Sequence, residues 1–251
     1  MRPLVTLLTD FGTADGYVAE MKGVLLTAVP DATIVDVAHD VAAQDTEGAR
    51  LALARYWRRY PPGVVHMVIV DPEVGTQRAA LAIESDGRFL VGPDTGVLSP
   101  ALLVPGARAI RLTISQGASM TFHGRDVFAP AAARLATGTP LDQLGAAFGD
   151  AIVRRTPEPH RADDGAVHGQ VIHIDRFGNA VTNLLAPHGG EVVVAARVLP
   201  IARTYADAPA GGYVAVTGSS GLVEVARRDG SAAAGLSLVR GTPVVLRSGS
   251  R

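Results

Sequence analysis

Residues 4–28, LVTLLTDFGTADGYVAEMKGVLLTA, decide the fold. Leu4 to Thr9 is a short apolar run containing β-branched residues, and it breaks at Asp10-Phe11-Gly12. From residue 16 to 28 the spacing becomes helical, with Val18, Met21, Leu25 and Leu26 on a common stripe. The same alternation continues outward. A strand over Thr33–Val37 precedes a helix from about Asp45 to Tyr60, stopped by Pro61-Pro62-Gly63. Val64 to Val70 reads as a fully buried strand ending at Asp71-Pro72. Ala79–Glu84 and Arg88–Val91 flank the hairpin signal Ser85-Asp86-Gly87. A helix over Val127–Thr137 and a short Leu141–Phe148 segment close this half. The pattern predicts an α/β domain whose central, mostly parallel sheet is covered on both faces. Sheets of this kind bind ligands at the carboxyl ends of their strands, which makes Asp10 and Asp71 early candidates for a site.

Residues 153–165, VRRTPEPHRADDG, combine two prolines with a dense run of charges and read as a linker. Beyond it, β-rich stretches at 167–174, 180–185, 191–195, 213–217, 222–226 and 243–247 are punctuated by Gly, Pro and Asn turns. They predict a small all-β C-terminal domain, a barrel or a sandwich. The expected division is therefore 1–152, a linker over 153–165, and 166–251.

A chain of 251 residues that is 47% hydrophobic can bury a real core and does not have a disordered composition. It contains no apolar run long enough for a transmembrane helix, and Asp10 comes too early for a signal peptide's apolar core. A net charge of −1 and a pI near 6.7 give no overall attraction to nucleic acid or anionic lipid. The absence of cysteine excludes disulfides, thiolate nucleophiles and zinc ribbons, and fits a reducing, cytoplasmic setting. Lys22 is the one lysine among 23 basic residues, so lysine-based catalysis would rest on it alone.

Several common motifs do not apply. Asp10-Phe11-Gly12 matches the kinase magnesium triplet but has no Gly-rich loop or strand lysine before it. Asp36, His39 and Asp40 are a weak metal signal and read better as a capped turn after a strand. His173 and Asp175 share one strand face but are only two groups. His66, His160, His168 and His188 have no partner pattern and read as surface or packing residues. What remains is a density of Gly-bounded polar residues in five places: 10–16, 71–78, 92–96 (GPDTG), 121–128 (TFHGRDVF) and 175–183 (DRFGNAVTN). Glycines in such loops permit left-handed backbone or close approach to a ligand, and loops held at strand ends are where function concentrates.

These five stretches, with Gly218-Ser219-Ser220-Gly221-Leu222 and Glu224-Val225-Ala226, resemble the S-adenosyl-L-methionine (SAM) hydroxide adenosyltransferase family, relatives of the SAM-dependent fluorinase and chlorinase. The resemblance runs nearly end to end. It implies an N-terminal α/β domain, a C-terminal β-barrel, and a homotrimer whose site lies between one subunit's N-terminal domain and a neighbour's C-terminal domain. It implies SAM as substrate, with no metal or organic cofactor. Hydrolytic members carry an Asp-Arg-His set, matched here by Asp71, Arg78 and His123; halogenating members have tyrosine where Asp71 stands. Glu73 departs from the family's usual glycine in this turn.

By position, the resemblance assigns Asp10 to the ribose hydroxyls, and Asp15 and Asp175 to the methionine ammonium. It assigns Phe177 and Asn179 to the adenine side, and Ser219 to the methionine carboxylate. Arg227 and Tyr205 are candidate adenine contacts, by backbone and by stacking. Ser220 stands where halogenases have arginine. The residues alone leave plainer readings open: Asp71 as a turn cap, Arg78 as a solvated charge, His123 as a helix-entry residue, Phe177 as barrel core and Asn179 as a left-handed turn residue. The implied reaction is in-line attack of water or hydroxide on C5′, giving adenosine and L-methionine. Arg78 would stabilise hydroxide, Asp71 would bind that water or fix the guanidinium, and His123 would orient the water or accept its proton. A halide-dependent adenosyltransferase and a SAM- or adenosine-binding module with little turnover are the alternatives.

Overall fold

Leu4–Thr9 forms the interior strand β1, five of whose six residues are buried. The computed structural model describes residues 2–186 and 190–247. The chain divides into two units after Arg155, inside the stretch read as a linker. His188 lies outside the described residues.

In the first unit β1 pairs in parallel with β2 (Thr33–Ala38) on one side and β3 (Val65–Ile69) on the other. β3 pairs in parallel with β5 (Arg88–Pro93). Antiparallel pairing then adds β4 (Ala80–Ser85), β6 (Arg108–Leu112) and β7 (Gly145–Ala147), giving the order β2-β1-β3-β5-β4-β6-β7. The parallel content thus lies in the four strands β2, β1, β3 and β5. Between β4 and β5, Asp86 (φ 49°) and Gly87 (φ 70°) form a left-handed pair, the geometry whose twist matches a two-residue hairpin.

Alternation along the parallel strands sends successive side chains to opposite faces. Leu7 and Met67 pack with Met21 and Leu25 of α1 (Tyr17–Ala28) and with Leu135 of α4 (Ala129–Ala136). Leu8 and Val68 pack on the other face with Leu53 of α2 (Thr46–Tyr56), Trp57, and Ala101 of α3 (Ser99–Leu102). α2 stops earlier than the sequence suggests, and a 3-10 turn over Trp57–Arg59 completes the expected segment.

The second unit is a closed seven-stranded barrel. Its strands are β9 (Val167–Ile174), β10 (Ala180–Leu185), β11 (Glu191–Val194), β12 (Arg197–Ala202), β13 (Tyr213–Thr217), β14 (Leu222–Arg227) and β15 (Pro243–Arg247). They run β10-β14-β13-β12-β11-β15-β9, and the β10–β9 pairing joins the ends. Closure removes the unpaired edges that an open sheet of this size would expose. β8 (His160–Arg161) pairs outside the ring with β9. Val171, Leu184, Val192, Val225 and Val244 fill the core, and α5 (Ala232–Leu236) packs Ala232 against it. Among the described residues no helix is long and apolar enough to cross a membrane.

Candidate active site

From β1 the chain moves to β2 on one side and then to β3 on the other, so the order reverses between β1 and β3. Crevices at such a reversal, outside the carboxyl ends of the strands, are the usual ligand position in open sheets. Asp10 leaves β1 there, Asp71 follows β3, and Asp94 follows β5.

The 71–78 turn folds back on itself, with the Thr76 amide donating to the Glu73 carbonyl at 3.1 Å. Gly75 has φ 78°, and a Cβ on it would lie 2.3 Å from the Met120 carbonyl oxygen, so the turn sits directly on the loop that leads to His123. Arg78 Nε donates to Asp71 Oδ1 at 2.9 Å, and Nη2 donates to Oδ2, a two-pronged contact. The other Nη2 hydrogen reaches His123 Nδ1 at 2.8 Å, and Nη1 reaches the Ala79 carbonyl at 3.3 Å. The guanidinium lies 5.4 Å from the Phe128 ring centroid. The Arg78 and Asp71 side chains are 4% and 6% exposed, and His123 is buried. Arg78 is therefore not a solvated strand-end charge.

This contact fixes the histidine. A guanidinium only donates, so Nδ1 of His123 must accept and the neutral ring carries its proton on Nε2. Burial, and then the Arg78 charge, lower the His123 pKa from its ordinary value; Asp71 and Asp126 oppose this only in part.

His123 is placed by an unusual turn. The residues after it, Gly124–Phe128, wind as a π turn in which the Ala129 amide donates to the Gly124 carbonyl. Single π turns inside helices recur at functional sites. A Cβ on Gly124 would meet Met21 Sδ at 2.9 Å and the Phe122 ring at 3.0 Å. Phe11, Tyr17 and Phe122 stack edge to face with centroids 5.3–6.0 Å apart, tying the 10–17 loop to the 121–124 loop. Asp126 holds the preceding loop by accepting the Ser119 amide at 2.8 Å.

Asp10 is half-buried, and its Oδ2 accepts the Gln44 amide at 2.8 Å. Asp15 is exposed in the turn before α1. Among the described residues, the structure thus joins Asp71, Arg78 and His123 by direct bonds, with Asp10 one strand away on the same edge.

The remaining candidates belong to the barrel unit. Asp175 closes its own loop: Oδ1 accepts the amides of Phe177 (2.9 Å) and Asn179 (2.8 Å), and Oδ2 accepts Asn179 Nδ2 at 2.9 Å. Gly178 between them has φ 81° and no room for a Cβ beside Ser231. Phe177 at the tip is 77% exposed and is not barrel core. Asn179 is buried and is not left-handed. Ser219 is exposed in the turn between β13 and β14. Tyr205, partly exposed, donates its hydroxyl to Glu224 Oε2 at 2.9 Å. Arg227 Nε donates to the Gly211 carbonyl at 3.0 Å, and its guanidinium lies over Tyr213.

Asp94, in the GPDTG loop, is a further polar group at this edge that no sequence motif singles out. Its Oδ1 accepts the Ile152 amide at 2.8 Å, burial raises its pKa, and it lines a cleft of about 510 Å³ with Glu73, Arg78 and Arg111. Glu73, the departure from the family turn, stands on that rim. Asp36 and His39 pair with one another. Among the described residues no three His, Asp or Glu side chains are grouped to hold a metal. His66 is buried, and His160 stacks on His168 with centroids 5.0 Å apart.

Family models for the SAM hydroxide adenosyltransferase N-terminal and C-terminal domains match residues 5–145 and 169–245. The chain is 44% identical to the (R)-S-adenosyl-L-methionine hydrolase of Thermus thermophilus, covering 98% of this chain and 100% of that one. It is 39% identical to the enzyme of that name from Salinispora arenicola, covering 98% of each. A crystal structure of an uncharacterized conserved protein from Thermotoga maritima superposes with a TM-score of 0.87 at 30% identity, covering 96% of this chain and 99% of that one. Fluorinases are more distant, at 28% identity for that of Nocardia brasiliensis, over 99% of this chain and 98% of that one. Matched across both domains and nearly its full length, the chain belongs to the SAM hydroxide adenosyltransferase family.

Proposed function

We propose that this protein is an enzyme that hydrolyses SAM to adenosine and L-methionine, with Asp71, Arg78 and His123 at the reacting centre. The observation that carries the reading is the buried, directly bonded set of those three side chains at the strand-order reversal. The family membership and the names of the 39–44% identical relatives support the chemistry.

The balance is simple. A water loses one proton to solvent, the resulting hydroxide oxygen bonds to C5′, the C5′–S bond breaks, and its electron pair returns to sulfur. Arg78 keeps its charge throughout, so it stabilises developing hydroxide without losing a proton. Of its five N–H groups, four are taken by Asp71, His123 and Ala79, which leaves one Nη1 hydrogen for the incoming oxygen. His123, held neutral with Nε2–H, supplies a second donor. Asp71 fixes the guanidinium plane. Excluding bulk water strengthens each of these contacts and favours the meeting of hydroxide with a sulfonium.

In this reading Asp10 takes the ribose hydroxyls, and Asp15, Asp175 and Ser219 take the methionine end. Phe177 and Asn179, with Tyr205 and Arg227, take adenine. The enzyme works in the cytoplasm as a homotrimer, each site using one subunit's α/β unit and a neighbour's barrel, without metal or organic cofactor.

Turnover in ¹⁸O-labelled water tests the reaction. Label in the 5′-hydroxyl of adenosine, with one methionine per adenosine, is expected. A 5′-halo nucleoside formed only when chloride or fluoride is added would replace the reading with the halide-dependent one. Bound SAM with no product would replace it with a binding module.

A further inference from the structure

Beneath the Asp10 turn runs a chain of polar side chains that the reaction itself does not use. Lys22 Nζ donates to Asp36 Oδ2 at 2.6 Å, and Asp36 Oδ1 lies 2.9 Å from His39 Nε2. His39 Nδ1 lies 2.9 Å from Thr9 Oγ1, which also receives the Phe11 amide at 3.3 Å. His39 and Thr9 are buried, and the far end, Lys22 and Asp36, reaches solvent. A carboxylate only accepts, so His39 Nε2 carries a proton and donates to Asp36, while Nδ1 and the Thr9 hydroxyl share the second bond. Thr9 in turn accepts from Phe11.

The same segment clasps the turn twice more. The His39 carbonyl accepts the Gly12 amide at 2.7 Å, and the Gln44 amide donates to Asp10 Oδ2. Gln44 holds a left-handed backbone, φ 64°, which a side-chain-bearing residue adopts at a cost. Asp45, next in sequence, caps α2 by accepting the Gly48 amide at 3.0 Å. Asp10 is thereby held between a buried hydrogen-bond chain and the start of a helix.

We propose that His39, locked by Asp36 and Lys22 on one side and Thr9 on the other, is a positioning residue that sets the Asp10 carboxylate for a ribose diol. This rests on the reading of Asp10 given above. The consequence is specific: His39 governs discrimination for ribose hydroxyls and leaves the Asp71, Arg78 and His123 chemistry alone.

The test measures binding of adenosine and 2′-deoxyadenosine, and SAM turnover, in His39→Leu, Thr9→Val and His39→Gln. The first two break the chain while keeping apolar volume. The third keeps an acceptor and a donor on one side chain. The expected result is that the wild type prefers adenosine and that His39→Leu and Thr9→Val shrink that preference about five- to tenfold, the worth of one or two hydrogen bonds. KM for SAM should rise by a similar factor with kcat nearly unchanged, and His39→Gln should restore much of both. Equal losses for the two nucleosides, or a fall in kcat alone, would overturn the proposal while leaving the hydrolase reading intact. A wild type that does not distinguish the two nucleosides would overturn Asp10's assignment and this proposal together. Product formation would still decide the hydrolase reading separately.

Discussion

Arg78 donates to Asp71, His123 and the Ala79 carbonyl at once, so a proton gained by His123 disturbs the whole set. Protonating His123 on Nδ1 would set two donors against each other and break the Arg78 contact. Because burial and Arg78 lower the His123 pKa from 6.5, the working neutral form persists below the pH at which free imidazole charges. Activity should therefore hold on the acid side and fall only as pH drops through that depressed value. A pH–kcat profile checks this, and Arg78→Lys, which cannot offer the same fork, should lower kcat about a hundredfold. The pairing of residues 71, 78 and 123 was legible only through the family resemblance. No spacing rule joins positions 45 residues apart, and a buried arginine looks like any other in a sequence. The self-closing Asp175 loop was equally hidden, because Asp-Arg-Phe-Gly-Asn spells several turns until the backbone bonds are seen.

At the scale of elements, β3 packs against α2 through a histidine. His66 sits among Tyr56, Trp57 and Tyr60, with Nδ1 on Thr6 Oγ1 at 2.8 Å. Burial first, then the Arg88 charge, push its pKa down to about 4 from 6.5. The folded state thus resists a proton that the unfolded chain accepts. The stability present above pH 6.5 falls as pH drops from there, and levels off below about 4. The loss amounts to about 3 kcal/mol. Urea unfolding at pH 7.5 and 4.5 should show this, and His66→Gln should reduce the difference. β1, β3 and the Ser85–Gly87 hairpin were readable because buried strands are continuous apolar runs and Asp-Gly names its turn. β6 carries Arg108 and Arg111 three residues apart, which breaks a period of two, and β12 carries Pro200, so neither announced itself as a strand. The π turn after His123 read as an ordinary helix start because its sequence, Gly124–Phe128, differs from an α-helix only in one extra residue per turn.

For the whole molecule, the two-unit plan followed from texture: helix-rich alternation, a charged Pro-containing stretch, then short strands. Barrel and sandwich gave the same pattern, and the β9–β10 pairing that closes the ring joins strands whose sequences say nothing about closure. The proposed sharing of each site between subunits makes its own prediction. Mixing unfolded Asp71→Ala with unfolded Phe177→Ala and refolding them together should recover about a quarter of wild-type turnover, since a quarter of random interfaces pair two intact halves. Recovery near zero would place each site within one chain. The most direct measurement incubates the purified protein with SAM in halide-free buffer and quantifies products alongside Asp71→Ala and His123→Ala. Equal adenosine and methionine, falling at least about a hundredfold in both variants while SAM binding persists, is the predicted result. Adenosine formed at wild-type rates by either variant, or none formed by the wild type, would contradict it.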